Sequence, residues 1–99
     1  MVKHVILWKL KDLSESELVT VKTGIKENLE ALIGKIPGLL EIKVYTDKLD
    51  SSNVDVMLDS TFEDEAALKG YAVHPDHVAV ANTYVRPYTA SRACLDFVV

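Results

Sequence analysis

"VKHVILWKL", residues 2–10, is apolar on both of the faces that an extended chain would present. Alternate side chains of a strand point to opposite sides. His4, Ile6, Trp8 and Leu10 therefore share one face, and Val5 and Leu7 lie on the other. β-branched and aromatic content over this short length predicts a strand. The closing stretch "SRACLDFVV", residues 91–99, has the same character, with Cys94 and Val98 on one side and Ala93, Leu95, Phe97 and Val99 on the other. A strand that is apolar front and back needs two coverings.

The intervening sequence supplies the first covering. In "LSESELVTVKTGIKENLEALIGKIPG", residues 13–38, Leu18, Val21, Ile25, Leu29, Leu32 and Ile36 recur at helical spacing, while Lys22, Lys26 and Glu30 fall off that stripe. Ser14 with Glu17 forms a capping-box pattern, and Pro37-Gly38 supplies a stop. Gly24 inside this helix costs about 1 kcal/mol against alanine, and nothing in the sequence explains it. "LLEIKVYT", residues 39–46, sets Leu40, Ile42 and Val44 against Glu41 and Lys43, which predicts a second strand. After the turn-forming "DKLDSSN", a third strand is expected in "VDVMLDST", residues 54–61.

A short helix is expected in "EDEAALKGY", residues 63–71, acidic where the helix dipole favours it. Pro75 biases His74 away from helical backbone and makes it a boundary. Pro75 can then open a third helical segment, "PDHVAVANTYVR", residues 75–86. The order β-α-β-β-α-α-β predicts an α+β, ferredoxin-like antiparallel sheet with helices on one face. The simplest covering for the other face is a second copy of the chain. An interface of about 1,600 Å² would bury enough apolar surface to hold a symmetric homodimer.

Composition narrows the partners. The 99 residues are 48% hydrophobic and 26% charged, as expected of one globular domain spanning residues 1–99. The net charge is −4 and no basic run exists, which argues against nucleic acid as a partner. Residues 51–99 hold three basic and seven acidic side chains. A lone cysteine, Cys94, fits a reducing compartment, and no Cys/His spacing suits zinc. The apolar opening is too short for a signal peptide or a membrane span. A cytoplasmic protein without membrane contact is expected.

"YAVHPDHVAV", residues 71–80, gathers a tyrosine and two histidines around a proline. With the opening "KHVILWKLKD", the "IPGL" after the first helix, "STFEDEAALKGYAVHPDHV" and the closing "LDFVV", it closely resembles the stress-responsive α/β barrel domain family from end to end. The resemblance implies a ferredoxin-like fold whose sheets pack into a dimeric α+β barrel. One plant relative, olivetolic acid cyclase, closes a linear polyketide by aldol condensation without a metal or organic cofactor. Carried over by motif, its working residues fall on His4, Tyr71 and His77. The lining of its alkyl pocket has no match here, so substrate identity does not transfer.

An aldol cyclisation needs a base for the proton beside a carbonyl and a donor for the enolate oxygen. The helix dipole would keep His77 neutral and able to accept that proton, and Tyr71 could supply the hydrogen bond. This requires His4 to face the helices with Ile6 and Trp8, in one cavity with His77. Ile6, Trp8 and His74 are then expected at the substrate. Each residue also has a structural reading: His74 as a helix cap, Tyr71 and His77 as satisfied core groups, Cys94 as inert packing. Three functions follow: binding of a small hydrophobic carbonyl or polyketide-like compound, extending to its cofactor-free aldol-type cyclisation; a stress-associated structural dimer with a filled interior; or cofactor-free oxygenation of an aromatic.

Overall fold

A computed structural model describes residues Met1–Val99. Strands β1 (Val2–Leu10), β2 (Leu39–Tyr45), β3 (Val56–Phe62) and β4 (Thr89–Val98) form one antiparallel sheet in the order β2-β3-β1-β4. Helices α1 (Glu15–Glu30), α2 (Glu65–Val73) and α3 (Pro75–Val80) complete the chain order. Along β1 every second residue from Val2 to Leu10 is buried, because that face meets the helices. The core joins Ile6 and Trp8 to Ile25 and Leu29 of α1, Leu58 and Phe62 of β3, and Leu68 and Tyr71 of α2.

The capping box forms as the sequence predicts: the Glu17 amide donates to Ser14 Oγ at 3.2 Å, and the Ser14 amide donates to the Glu17 carboxylate at 3.2 Å. Helix α1 is shorter than the apolar stripe suggests. Gly34, with φ of +80°, cannot continue a right-handed helix, yet Leu32 and Ile36 still bury from the turns beyond Glu30. Gly38 also has positive φ, +79°, and a Cβ there would lie 2.4 Å from the Cβ of Ala67.

Strand β2 departs from simple alternation. Leu39 pairs with Phe62 and Glu41 with Thr61, so Leu40 is the extra residue of a bulge. Leu39 takes the buried position and Leu40 is exposed, the reverse of the predicted face. Strand β3 begins at Val56 rather than residue 54. Asp55 ahead of it accepts hydrogen bonds from the Leu10 amide at 2.7 Å and Lys48 Nζ at 2.6 Å.

The expected third helix over residues 75–86 changes pitch. After α3 the Arg86 amide bonds to the Ala81 carbonyl, five residues back, giving a π-helical turn over Ala81–Val85. Pro87 has no amide to extend it, and a 3-10 turn over Arg86–Tyr88 leads into β4. Gly24 now has a reason. A Cβ there would come within 3.3 Å of Tyr84 Cδ1, so glycine lets α1 and the π turn approach closely.

The outer face carries no helix. Partners in register share a face, so Val5 stands with Asp59 and Leu95, Leu7 with Met57 and Ala93, and Lys3 with Thr61 and Phe97. Leu95 is 62% exposed and Phe97 39%. No helix is long and apolar enough to cross a membrane.

Candidate functional site

A cavity of about 930 Å³ lies between β1, β4 and the helices, with Ile6, Trp8, Leu29, Leu58 and Leu68 in its apolar wall. Strand β1 brings His4 to that wall two residues before Ile6 and four before Trp8, as the alternation predicts. Helix α2 carries Tyr71 in its last turn, and α3 returns His77 above it, because Pro75 forces a break between the two helices. His4 and His77 thus line one cavity.

The aromatic rings form a continuous cluster. His4 and Tyr71 lie 5.9 Å apart, centroid to centroid, with an interplanar angle of 65°, and Tyr71 and His77 lie 4.0 Å apart. Phe62 supports Tyr71 from the sheet at 5.0 Å. The Tyr71 hydroxyl is buried with no hydrogen-bond partner, and His77 Nδ1 is buried outside good hydrogen-bond geometry, though the Ala72 carbonyl lies close enough to act on its ring. Folded proteins rarely leave such groups unsatisfied, since each costs about 1–3 kcal/mol.

Burial pushes the Tyr71 hydroxyl far above its ordinary range, with the charge of Arg92 opposing, so the phenol keeps its proton. Burial also lowers the His77 pKa; the Ala72 carbonyl opposes that shift, and the charges of Arg86, His4 and Arg92 add to it. His77 is therefore neutral at pH 7, through desolvation more than through its place in a helix.

His74 stands apart. It is not on the cavity wall; its Nδ1 accepts the Asp76 amide at 3.1 Å and caps α3. The substrate contact expected of it is replaced by this cap. Pro75 at the first helical position leaves the Asp76 amide as the donor that a cap must satisfy.

Sequence reading missed Asp96. Strands β1 and β4 set it opposite His4, and His4 Nδ1 lies 2.5 Å from Asp96 Oδ1. Burial raises the Asp96 pKa, but the hydrogen bond and charge of His4 outweigh it, holding the carboxyl below its ordinary range. The signal lay in the alternation of "RACLD", which puts Arg92, Cys94 and Asp96 on one face; only the β1–β4 register says which β1 residue each would meet.

Cys94 also lines the cavity, with Sγ 3.4 Å from Asp96 Oδ1 and 3.8 Å from His4 Nδ1. Ligand atoms of these three side chains lie within 4.8 Å of one another, the one place where three metal-ligating types converge. Burial, reinforced by Asp96, raises the Cys94 pKa and keeps the thiol protonated, while His4 and Asp96 are engaged with each other.

Residues 2–99 match the family model of the stress responsive A/B barrel domain. An Arabidopsis thaliana stress-response A/B barrel domain-containing protein, DABB1, is 32% identical over 84 residues, covering 81% of this chain but 39% of that protein's length. A crystal structure of a dimeric protein of unknown function with a ferredoxin-like fold, from Bacteroides fragilis, is 34% identical, covers 99% of this chain and 95% of its own, and superposes with a TM-score of 0.92. A hydroxynitrile lyase from Passiflora edulis shares the fold at a TM-score of 0.75 and 18% identity, over 99% of this chain and 92% of its own. The two-sided strands, the ferredoxin-like sheet and the end-to-end match agree: the chain belongs to the stress-responsive A/B barrel domain family.

Proposed function

We propose that the cavity binds a small hydrophobic carbonyl compound and moves a proton beside its carbonyl group, without a cofactor. The observation that carries this reading is the buried Tyr71 hydroxyl, without a hydrogen-bond partner, on the wall that also holds His4 and His77. A bound carbonyl oxygen would give the Tyr71 hydroxyl the acceptor it lacks.

The sequence points to His77 as base; we assign that role to His4, a reading its contact with Asp96 supports. With Asp96 ionised, His4 Nδ1–H donates to it, leaving Nε2 free to accept a proton. The imidazolium so formed is ion-paired with Asp96, whereas a charge on His77 would meet burial and two arginines. In an aldol closure His4 Nε2 takes the proton from carbon next to the carbonyl, and the Tyr71 hydroxyl stabilises the enolate oxygen. The enolate carbon attacks a second carbonyl of the same molecule, and the imidazolium returns its proton to the new alkoxide. Neutral His77 positions Tyr71 through their stacked rings. Ile6 and Trp8 hold the apolar body of the substrate.

The open cavity favours this reading over a structural dimer with a filled interior. The likeness to a hydroxynitrile lyase is one of fold only. The apolar outer face supports a homodimer as the working form, consistent with the dimeric Bacteroides fragilis protein. Proton exchange tests the chemistry: NMR in D₂O would follow the hydrogens beside the carbonyl of 4-phenyl-2-butanone. The expected result is exchange above the protein-free rate that His4→Gln abolishes. Equal exchange by His4→Gln and the unaltered protein would overturn the proposal.

A further inference from the structure

Both arginines of the chain lie on the cavity wall. Residues 51–99 contain three basic side chains, Lys69, Arg86 and Arg92, and all three line the cavity, although the chain as a whole carries −4. Two acidic groups share the wall. Glu65 pairs with Lys69 at 3.7 Å, and Asp96 is held by His4 at 2.5 Å. Neither arginine lies within ion-pair distance of any carboxylate. Arg86 is held by a hydrogen bond to Asn82 Oδ1, a neutral group that leaves its charge uncompensated.

The positions follow from the fold. In the β1–β4 register Arg92 stands opposite Trp8, Cys94 opposite Ile6 and Asp96 opposite His4, all on the face toward the helices. Arg92 therefore begins a wall that runs past apolar Trp8 and Ile6 to the His4–Asp96 pair. At about 3.4 Å per residue, the Cα atoms of Arg92 and Asp96 are roughly 13 Å apart along the strand. Arg86 enters from the 3-10 turn ahead of β4. Both guanidinium charges act on His77, and that of Arg92 also reaches Tyr71 and Asp96, with its side chain hydrogen-bonded to Cys94.

We propose that the substrate of this cavity is a carboxylic acid, its carboxylate held by Arg92 and Arg86 and its apolar body laid along Trp8 and Ile6 toward His4. The inference rests on the reading above and names its substrate class: a carbonyl compound that also bears a carboxylate. The planar guanidinium matches a planar carboxylate through paired N–H donors, and both arginines sit exposed at the cavity's rim. In an acidic chain, two guanidinium groups on one cavity wall, neither in an ion pair with a carboxylate, also attract an anion.

Trp8 is the only tryptophan and lies in this wall, so its fluorescence reports occupancy. Titrating the full chain with octanoate, octanamide and octyl phosphate compares a carboxylate with its neutral isostere and a phosphate of equal carbon count. Octanoate is expected to bind at least tenfold more tightly than octanamide. Arg92→Gln and Arg86→Gln are each expected to cost octanoate at least fivefold more than they cost octanamide, with Arg92→Lys recovering part of the loss. Failure of octanoate to bind, equal affinity for acid and amide, equal losses in the arginine variants, or a preference for octyl phosphate would each overturn the inference. The two proposals fail separately. Arginine-dependent octanoate binding without His4-dependent proton exchange removes the chemistry and keeps the acid site. His4-dependent exchange with no preference for octanoate does the reverse.

Discussion

His4 and Asp96 face each other across β1 and β4, and their Nδ1 and Oδ1 atoms lie 2.5 Å apart at the edge of the cavity. A carboxylate in that position fixes which imidazole nitrogen carries the proton. Asp96→Asn would keep the shape but lose the charge that orients and stabilises the imidazolium. We expect proton exchange to fall about 10- to 100-fold in Asp96→Asn, and by about 10²–10⁴-fold in His4→Gln. NMR exchange rates measured on the two variants side by side check the order.

Tyr71→Phe should separate stability from function. The hydroxyl is buried without a partner, so its removal is expected to raise unfolding stability by about 1 kcal/mol. Proton exchange should fall at the same time, because the donor to the carbonyl oxygen is gone. Urea denaturation and the NMR assay read the two effects independently. A loss of stability would mean that the hydroxyl has a partner in the folded protein.

Acid should weaken the fold through His77. Its native pKa is below 6.5, so the unfolded chain binds the proton more readily. Above about pH 7 both states are neutral there and the group contributes nothing. As pH falls below 6.5 the unfolded state gains protons first, and stability declines until the native pKa is passed. The depressed carboxylates Glu30, Asp55 and Asp96 lose their contribution only at lower pH, because their ordinary values are 4.5 and 3.8. Denaturation midpoints between pH 7 and about 5 should fall less steeply in His77→Gln than in the unaltered chain.

Gly38→Ala is expected to destabilise the protein by about 1–3 kcal/mol from backbone conformation alone. Its φ is +79°, and the added carbon would collide with Ala67 at 2.4 Å, so the upper end is expected. Thermal unfolding checks this. Gly34→Ala shares the strained φ without the collision and should cost less.

Leu95→Asp places a charge on the outer face of the edge strand β4, on the rung that joins Val5 and Asp59. Sedimentation at micromolar concentration should show a dimer for the unaltered chain and a monomer for this variant. Leu95 is 62% exposed in one chain, so its own fold should survive. The cavity lies on the opposite side of the sheet, and octanoate affinity should change little.

The alternation of "VKHVILWKL" was enough to set His4, Ile6 and Trp8 on one face, because side-chain direction in a strand is local geometry. The capping box at Ser14 and the break at Pro75 were legible for the same reason: each depends on residues a few positions apart. The bulge at Leu40 was not legible, since an extra residue is recognised only against the strand it pairs with. Gly24 made sense once Tyr84, 60 residues on, was seen lying against it. The site divides along the same line. The sequence set His4 on one strand face with Ile6 and Trp8, and the family resemblance pointed to His4, Tyr71 and His77 as a group. Tertiary structure decided that Asp96 meets His4, that both arginines border the cavity and that His74 caps a helix. Those outcomes depend on strand register and on how helices dock over the sheet, and such long-range packing is not encoded in the spacing of any short segment.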